Sequence, residues 1–160
     1  MEPPARIHQN GHRKPLRLLH TADIHVDSDV YPKEALLGFD AVLEAVRAYS
    51  ADALLIAGDL FDSRKVATED VSYVFEALAG LGRPVVILPG NHDTLLTSSA
   101  SIPASMPPNM FVLRDPLGEV ATMEALDLSV WGRPVYDHVP SFRPLEGLQP
   151  RPNEGWYVVL

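Results

Sequence analysis

Three short polar clusters stand out in the first hundred residues: Asp23-Ile24-His25, Gly58-Asp59-Leu60-Phe61-Asp62 and Gly90-Asn91-His92-Asp93. Carboxylate oxygen and imidazole nitrogen suit divalent manganese, iron(II) or zinc, and the chain has no cysteine to compete with softer sulfur. Asp23 and His25 lie two apart, which in extended backbone turns both side chains to one face, so a single cation can take both. Asp59 follows Gly58, whose missing side chain permits close approach, and its two oxygens can bridge metals about 4 Å apart. Asn91 offers a neutral carbonyl oxygen to the second ion. His92 beside it is better placed to act on substrate, with Asp93 available to fix its tautomer. Read singly, Asp23 or Asp59 is equally a helix cap or turn residue, and His92 an ordinary surface imidazole. Their order and setting single them out, each cluster following a buried strand and separated from the next by a helix.

Those strands are legible as short apolar runs: Leu16 to Ala22 (LRLLHTA), Ala53 to Ala57 (ALLIA) and Pro84 to Leu88 (PVVIL). The last two have the unbroken apolar character of parallel strands covered on both faces. Between the first and second, Leu36, Phe39, Leu43 and Val46 repeat at helical spacing, and Pro32 suits the first turn. Between the second and third, Val71, Val74, Phe75 and Leu78 repeat the stripe after Thr68, read as an N-cap, and Gly80, Gly82 and Pro84 stop the helix. The order is β-α-β-α-β in an α/β fold. Right-handed crossovers then align the carboxyl ends of the strands along one sheet edge, where ligands of open α/β sheets bind, so the three clusters converge.

Beyond Asp93 the texture changes, with nine of the fifteen prolines after residue 100. Helices are not expected there. Strands are expected near Phe111 to Arg114, Glu119 to Met123 and Leu126 to Trp131. An irregular segment from Arg133 to Gly155 follows, and then a strand, WYVVL, at Trp156 to Leu160.

The chain of 160 residues suits one core. Thirteen Lys and Arg against 21 Asp and Glu give a net charge of −8, which argues against gripping nucleic acid or anionic membrane by bulk charge. A phosphate-bearing partner must be held locally. No apolar run approaches the roughly eighteen residues needed to cross a bilayer. Residues 1–15 read as a mobile basic tail on a cytoplasmic protein, lacking the apolar stretch of a secretory signal.

The DIH, GDLFD and GNHD motifs resemble the first three of five motifs of the calcineurin-like metallophosphoesterases, over roughly Leu16 to Leu160. Within that superfamily, HTADIHVDS, AGDLFDS and PGNHD are most similar to the DNA-repair exonuclease branch, the SbcD-like nucleases. The resemblance implies a β-sandwich with flanking helices and a centre of two divalent ions, often manganese, with iron or zinc as alternatives. It implies Asp23 and His25 as ligands of the first metal, Asp59 as the bridge and Asn91 as a ligand of the second. His92 would contact the phosphate or protonate the leaving group. The implied activity is metal-dependent phosphoester hydrolysis with DNA as the favoured substrate. Phosphomonoesters or cyclic nucleotides are alternative substrates, and the nuclease branch often has an ATPase partner subunit. Asp62 is followed by Ser63-Arg64-Lys65 rather than the Arg-Gly of the protein phosphatases, which argues against that branch, although the proline common in the nucleases after this motif is also missing.

The family's fourth and fifth motifs, a histidine before glycine and a Gly-His-x-His, have no counterpart in this sequence. His8 and His12 belong to the tail, His20 to the first strand, and His138 to the proline-rich segment, where it is not taken as a ligand. Residues 16–160 are therefore expected to be the amino-terminal part of a single metallophosphoesterase domain. Expected corollaries are weak or absent turnover, an inactive fragment being the alternative reading, and an uncovered sheet edge that favours homo-oligomers.

Overall fold

The computed structural model describes residues 14–62, 66–97, 106–137 and 139–160. The three apolar runs form β1 (Leu18–Thr21), β2 (Ala53–Ala57) and β3 (Val85–Leu88), and β4 (Met110–Val112) joins them in a parallel sheet of order β1-β2-β3-β4. Leu19 pairs with Leu54, Leu54 with Val85, and Val85 with Met110. The crossovers are α1 (Pro32–Ala48), with its proline in the first turn, and α2 (Thr68–Ala79).

Side-chain alternation divides the core in two. Leu54, Ile56, Val85 and Ile87 pack with the stripes of α1 (Phe39, Leu43, Val46) and α2 (Val74, Phe75, Leu78). Ala53, Leu55, Val86 and Leu88 face the other way, onto Ala121, Met123, Leu128 and Val130 of a second sheet. That sheet contains β5 (Glu119–Met123), β6 (Leu128–Gly132) and β7 (Trp156–Val159), with β5 antiparallel and β7 parallel to β6. The layers run helices, parallel sheet, second sheet, so the expected sandwich with flanking helices is present. Each fully buried large side chain contributes about 1.5–3 kcal/mol, which clamps the site-bearing strands from both faces. On β6, Trp131 is fully buried, and Gly118 (φ +86°) leaves it room, since a Cβ there would stand 2.5 Å from its Cζ2.

Three expectations need correction. Thr68 is the first residue of α2 rather than its cap. Ala67 holds the N-cap position with no side-chain cap on the first turn, and its own N–H donates to Asp27 Oδ2 at 2.9 Å, a carboxylate 40 residues away. A single helical turn, α3 (Thr94–Thr97), follows the third cluster where no helix was expected. The strand read from Leu126 begins at Leu128, because Glu124–Leu126 form a 3₁₀ turn closed by Asp127 at φ 50°. Residues 1–13, Ser63-Arg64-Lys65 and His138 lie outside the described residues. Among the described residues no helix is long and apolar enough to cross a membrane.

Candidate metal centre

Beyond the carboxyl ends of β1, β2 and β3 the backbones stay laced together. Asp23 N–H donates to the Gly58 carbonyl at 3.1 Å, His25 N–H to Asp59 at 3.0 Å, and Val26 N–H to Leu60 at 2.9 Å. Gly58 N–H donates to Leu88 at 2.8 Å, joining the second loop to the third strand. Asp23, His25 and Asp59 adopt φ of 53°, 51° and 53°, in the left-handed region that side chains other than glycine rarely visit. The expectation of an extended Asp-Ile-His stretch is thus overturned. The two side chains come together because two left-handed residues flank Ile24.

One donor atom from each of Asp23, His25 and Asp59 falls within 4.8 Å of the others, and His25 Nε2 stands 3.9 Å from Asp59 Oδ2. His25 Nδ1 donates to Asp62 Oδ1 at 2.8 Å. A carboxylate only accepts, so the proton sits on Nδ1 and the Nε2 lone pair is left for a ligand on the Asp59 side. Among the described residues, the ion pairs of Asp59 and Asp62 go to His25 rather than to a lysine or arginine. Oxygen and imidazole donors, clustered, strained and without a basic counter-ion among the described residues, fit a divalent cation. A second donor group, His25, Asp62 and His92, shares the same imidazole.

His92 is exposed, edge-on to His25 with ring centroids 5.0 Å apart. Its backbone N–H donates to Asp59 Oδ1 at 3.1 Å, and its Nδ1 donates to the Asp62 carbonyl at 2.7 Å. That bond raises its pKa, against an opposing effect of burial and with help from the carboxylates of Asp59, Asp62 and Asp93. With Nδ1 engaged, Nε2 is the ring nitrogen left open to a ligand.

Asp93 does not fix the His92 tautomer as expected. It is fully buried, and its carboxylate accepts from Phe61 N–H at 2.8 Å and Gly90 N–H at 2.9 Å, tying the second loop to the third. Burial pushes its carboxyl pKa up, and the N–H donors oppose the shift. The space needed by Asp59 also comes from elsewhere than expected. A Cβ on Gly90 would lie 2.1 Å from Asp59 Oδ1, whereas one on Gly58 would meet only ordinary contacts, so Gly58 is there for its φ of +86°.

Asn91 sits beside Asp59. With Gly58, Asp59 and Gly90 it lines a cavity of about 190 Å³. On its other side, with Thr94, Arg114 and Tyr136, it lines a cleft of about 430 Å³. Asp62 is the residue that reading the sequence left without a role, although it closes the GD-x-x-D pattern. Its side chain orients His25 and its carbonyl orients His92.

The family model for calcineurin-like phosphoesterases matches residues 16–152. Among similar proteins are the DNA double-strand break repair protein Mre11 of Aeropyrum pernix, 38% identical over 86 residues, and one polypeptide of the SbcCD nuclease of Escherichia coli K12, 31% identical over 93. These matches cover 49% and 54% of this chain and 21% and 23% of the relatives. The corresponding SbcCD polypeptide of Rhodobacter capsulatus is 39% identical over 87 residues, covering 49% of this chain and 22% of its own length. The chain therefore spans less than a quarter of the length of these curated relatives.

Proposed function

We propose, from the premise that the chain belongs to the calcineurin-like phosphoesterase family, that it carries the amino-terminal part of the metal site of a DNA phosphodiesterase of the exonuclease type. The observation that carries this reading is the convergence of Asp23, His25 and Asp59 donors within 4.8 Å on the edge formed by three parallel strands. Names of relatives such as Mre11 and the SbcCD nuclease favour DNA over a monoester or cyclic nucleotide. A partner subunit and a cytoplasmic location belong to the same reading.

In it, Asp23 and His25 would hold one divalent cation, Asn91 a second, and Asp59 would serve both. Manganese is the proposed metal, since hard oxygen donors outnumber imidazole. Bound cations would neutralise charge on the phosphoryl oxygens and make a water acidic enough to attack near neutral pH. The chain's own residues do the rest. Asp62 holds His25 in the tautomer that presents Nε2, and its carbonyl holds His92 Nδ1–H. His92 Nε2 then faces outward to hydrogen-bond or protonate the departing oxygen.

The test is hydrolysis of bis-p-nitrophenyl phosphate with added manganese. Weak or absent turnover is expected of residues 1–160 alone; in a longer chain that supplies the remaining imidazole ligands, His92→Ala should lower metal-dependent turnover by about 10²-fold or more, with manganese binding retained. Absence of manganese binding by the chain, or His92→Ala at wild-type rate in the longer chain, overturns the reading.

A further inference from the structure

We propose that the cleft of about 430 Å³ beside Asn91 seats the nucleotide adjoining the scissile phosphate, with the Arg114 guanidinium holding that nucleotide's phosphate. This rests on the phosphodiesterase reading above. Gly90 and Asn91 line both this cleft and the cavity at Asp59, so a chain whose scissile phosphate lies at the metal ligands continues directly into it. The volume falls within the range of about 300–1,000 Å³ typical of small-molecule sites and accommodates one nucleotide.

In a protein of net charge −8, phosphate needs a local cation, and Arg114 is the one cation among the described residues lining the cleft. Its side chain is exposed, but its backbone is held on two sides. Tyr136 Oη donates to the Arg114 carbonyl, and Arg114 N–H donates to Glu119 Oε1, which also accepts from Asp115 N–H at 3.0 Å. These bonds fix the backbone from which the Arg114 side chain projects. The half-buried Tyr136 ring supplies a surface on which any base can stack, which suits a nuclease indifferent to sequence. Asp137, also on the lining, disfavours a second phosphate there and can accept from a base amino group.

The experiment measures fluorescence anisotropy of labelled tetrathymidylate against the full chain in calcium, for wild type, Arg114→Ala, Arg114→Lys and Lys33→Ala on α1. In parallel, manganese-dependent hydrolysis of bis-p-nitrophenyl phosphate is followed. Expected is about tenfold weaker oligonucleotide binding in Arg114→Ala, a smaller loss in Arg114→Lys and none in Lys33→Ala. Small-diester hydrolysis by Arg114→Ala should stay within about twofold of wild type, because that substrate has no flanking nucleotide. Wild-type binding by Arg114→Ala, an equal loss in Lys33→Ala, or no binding by the wild-type chain overturns the inference. An equal loss of small-diester hydrolysis in Arg114→Ala also overturns it, by moving Arg114 to the scissile phosphate. If the chain binds no manganese, the phosphodiesterase reading fails, while the anisotropy series still decides the cleft.

Discussion

Asp23, His25 and Asp59 hold left-handed backbones at a cost of about 1–3 kcal/mol each, and the Asp23 side chain is exposed, so the strain is not offset by packing there. Asp23→Gly should therefore stabilise the metal-free protein by about 1 kcal/mol while weakening manganese binding. Urea denaturation in chelator and calorimetric titration with manganese measure the two effects. A metal-free variant less stable than wild type would show that Asp23 is structural. Residue types and order were enough to group Asp23, His25 and Asp59. The roles of Asp62 and Gly90 were not legible, because each acts across about thirty residues, through a bond to His25 and through space left for Asp59. Spacing along the chain does not encode such contacts.

The first two helices and three strands follow apolar periodicity closely, since each has one or two faces that must be buried. Their ends do not, because tertiary contacts set them. At the start of α2 the Ala67 N–H goes to Asp27 rather than any cap coming from Thr68, and Asp93 ties the loops after β2 and β3. Asp93→Ala leaves the buried N–H groups of Phe61 and Gly90 without that acceptor, and should cost about 3 kcal/mol in urea denaturation. A loss below about 0.5 kcal/mol would mean that the loops hold without it. On the outer layer, Tyr73 of α2 donates to Asp40 of α1 at 2.6 Å, and that bond first of all raises the Tyr73 pKa above 10.0. A raised folded-state value means that the bond's contribution is complete below pH 10.0 and lost as pH climbs through the folded value. The difference in Tm between wild type and Tyr73→Phe should accordingly shrink toward zero in melts taken from pH 7 to pH 11.

At the scale of the molecule, a site crowded with carboxylates in a protein of net charge −8 gains stability from any cation it binds. Manganese at about 100 times its Kd adds about 2.7 kcal/mol, which for a chain of this length raises Tm by roughly 5–10 °C. Scanning calorimetry with and without chelator measures this, and an unchanged Tm would mean that the folded chain holds no metal. The two tryptophans offer a separate optical handle on the second sheet. Trp131 lies sealed under Gly118, whereas Trp156 is 40% exposed. Acrylamide should quench Trp156 alone while β6 keeps its place, leaving a blue-shifted emission from Trp131, so loosening of this layer becomes visible as a colour change without any added dye.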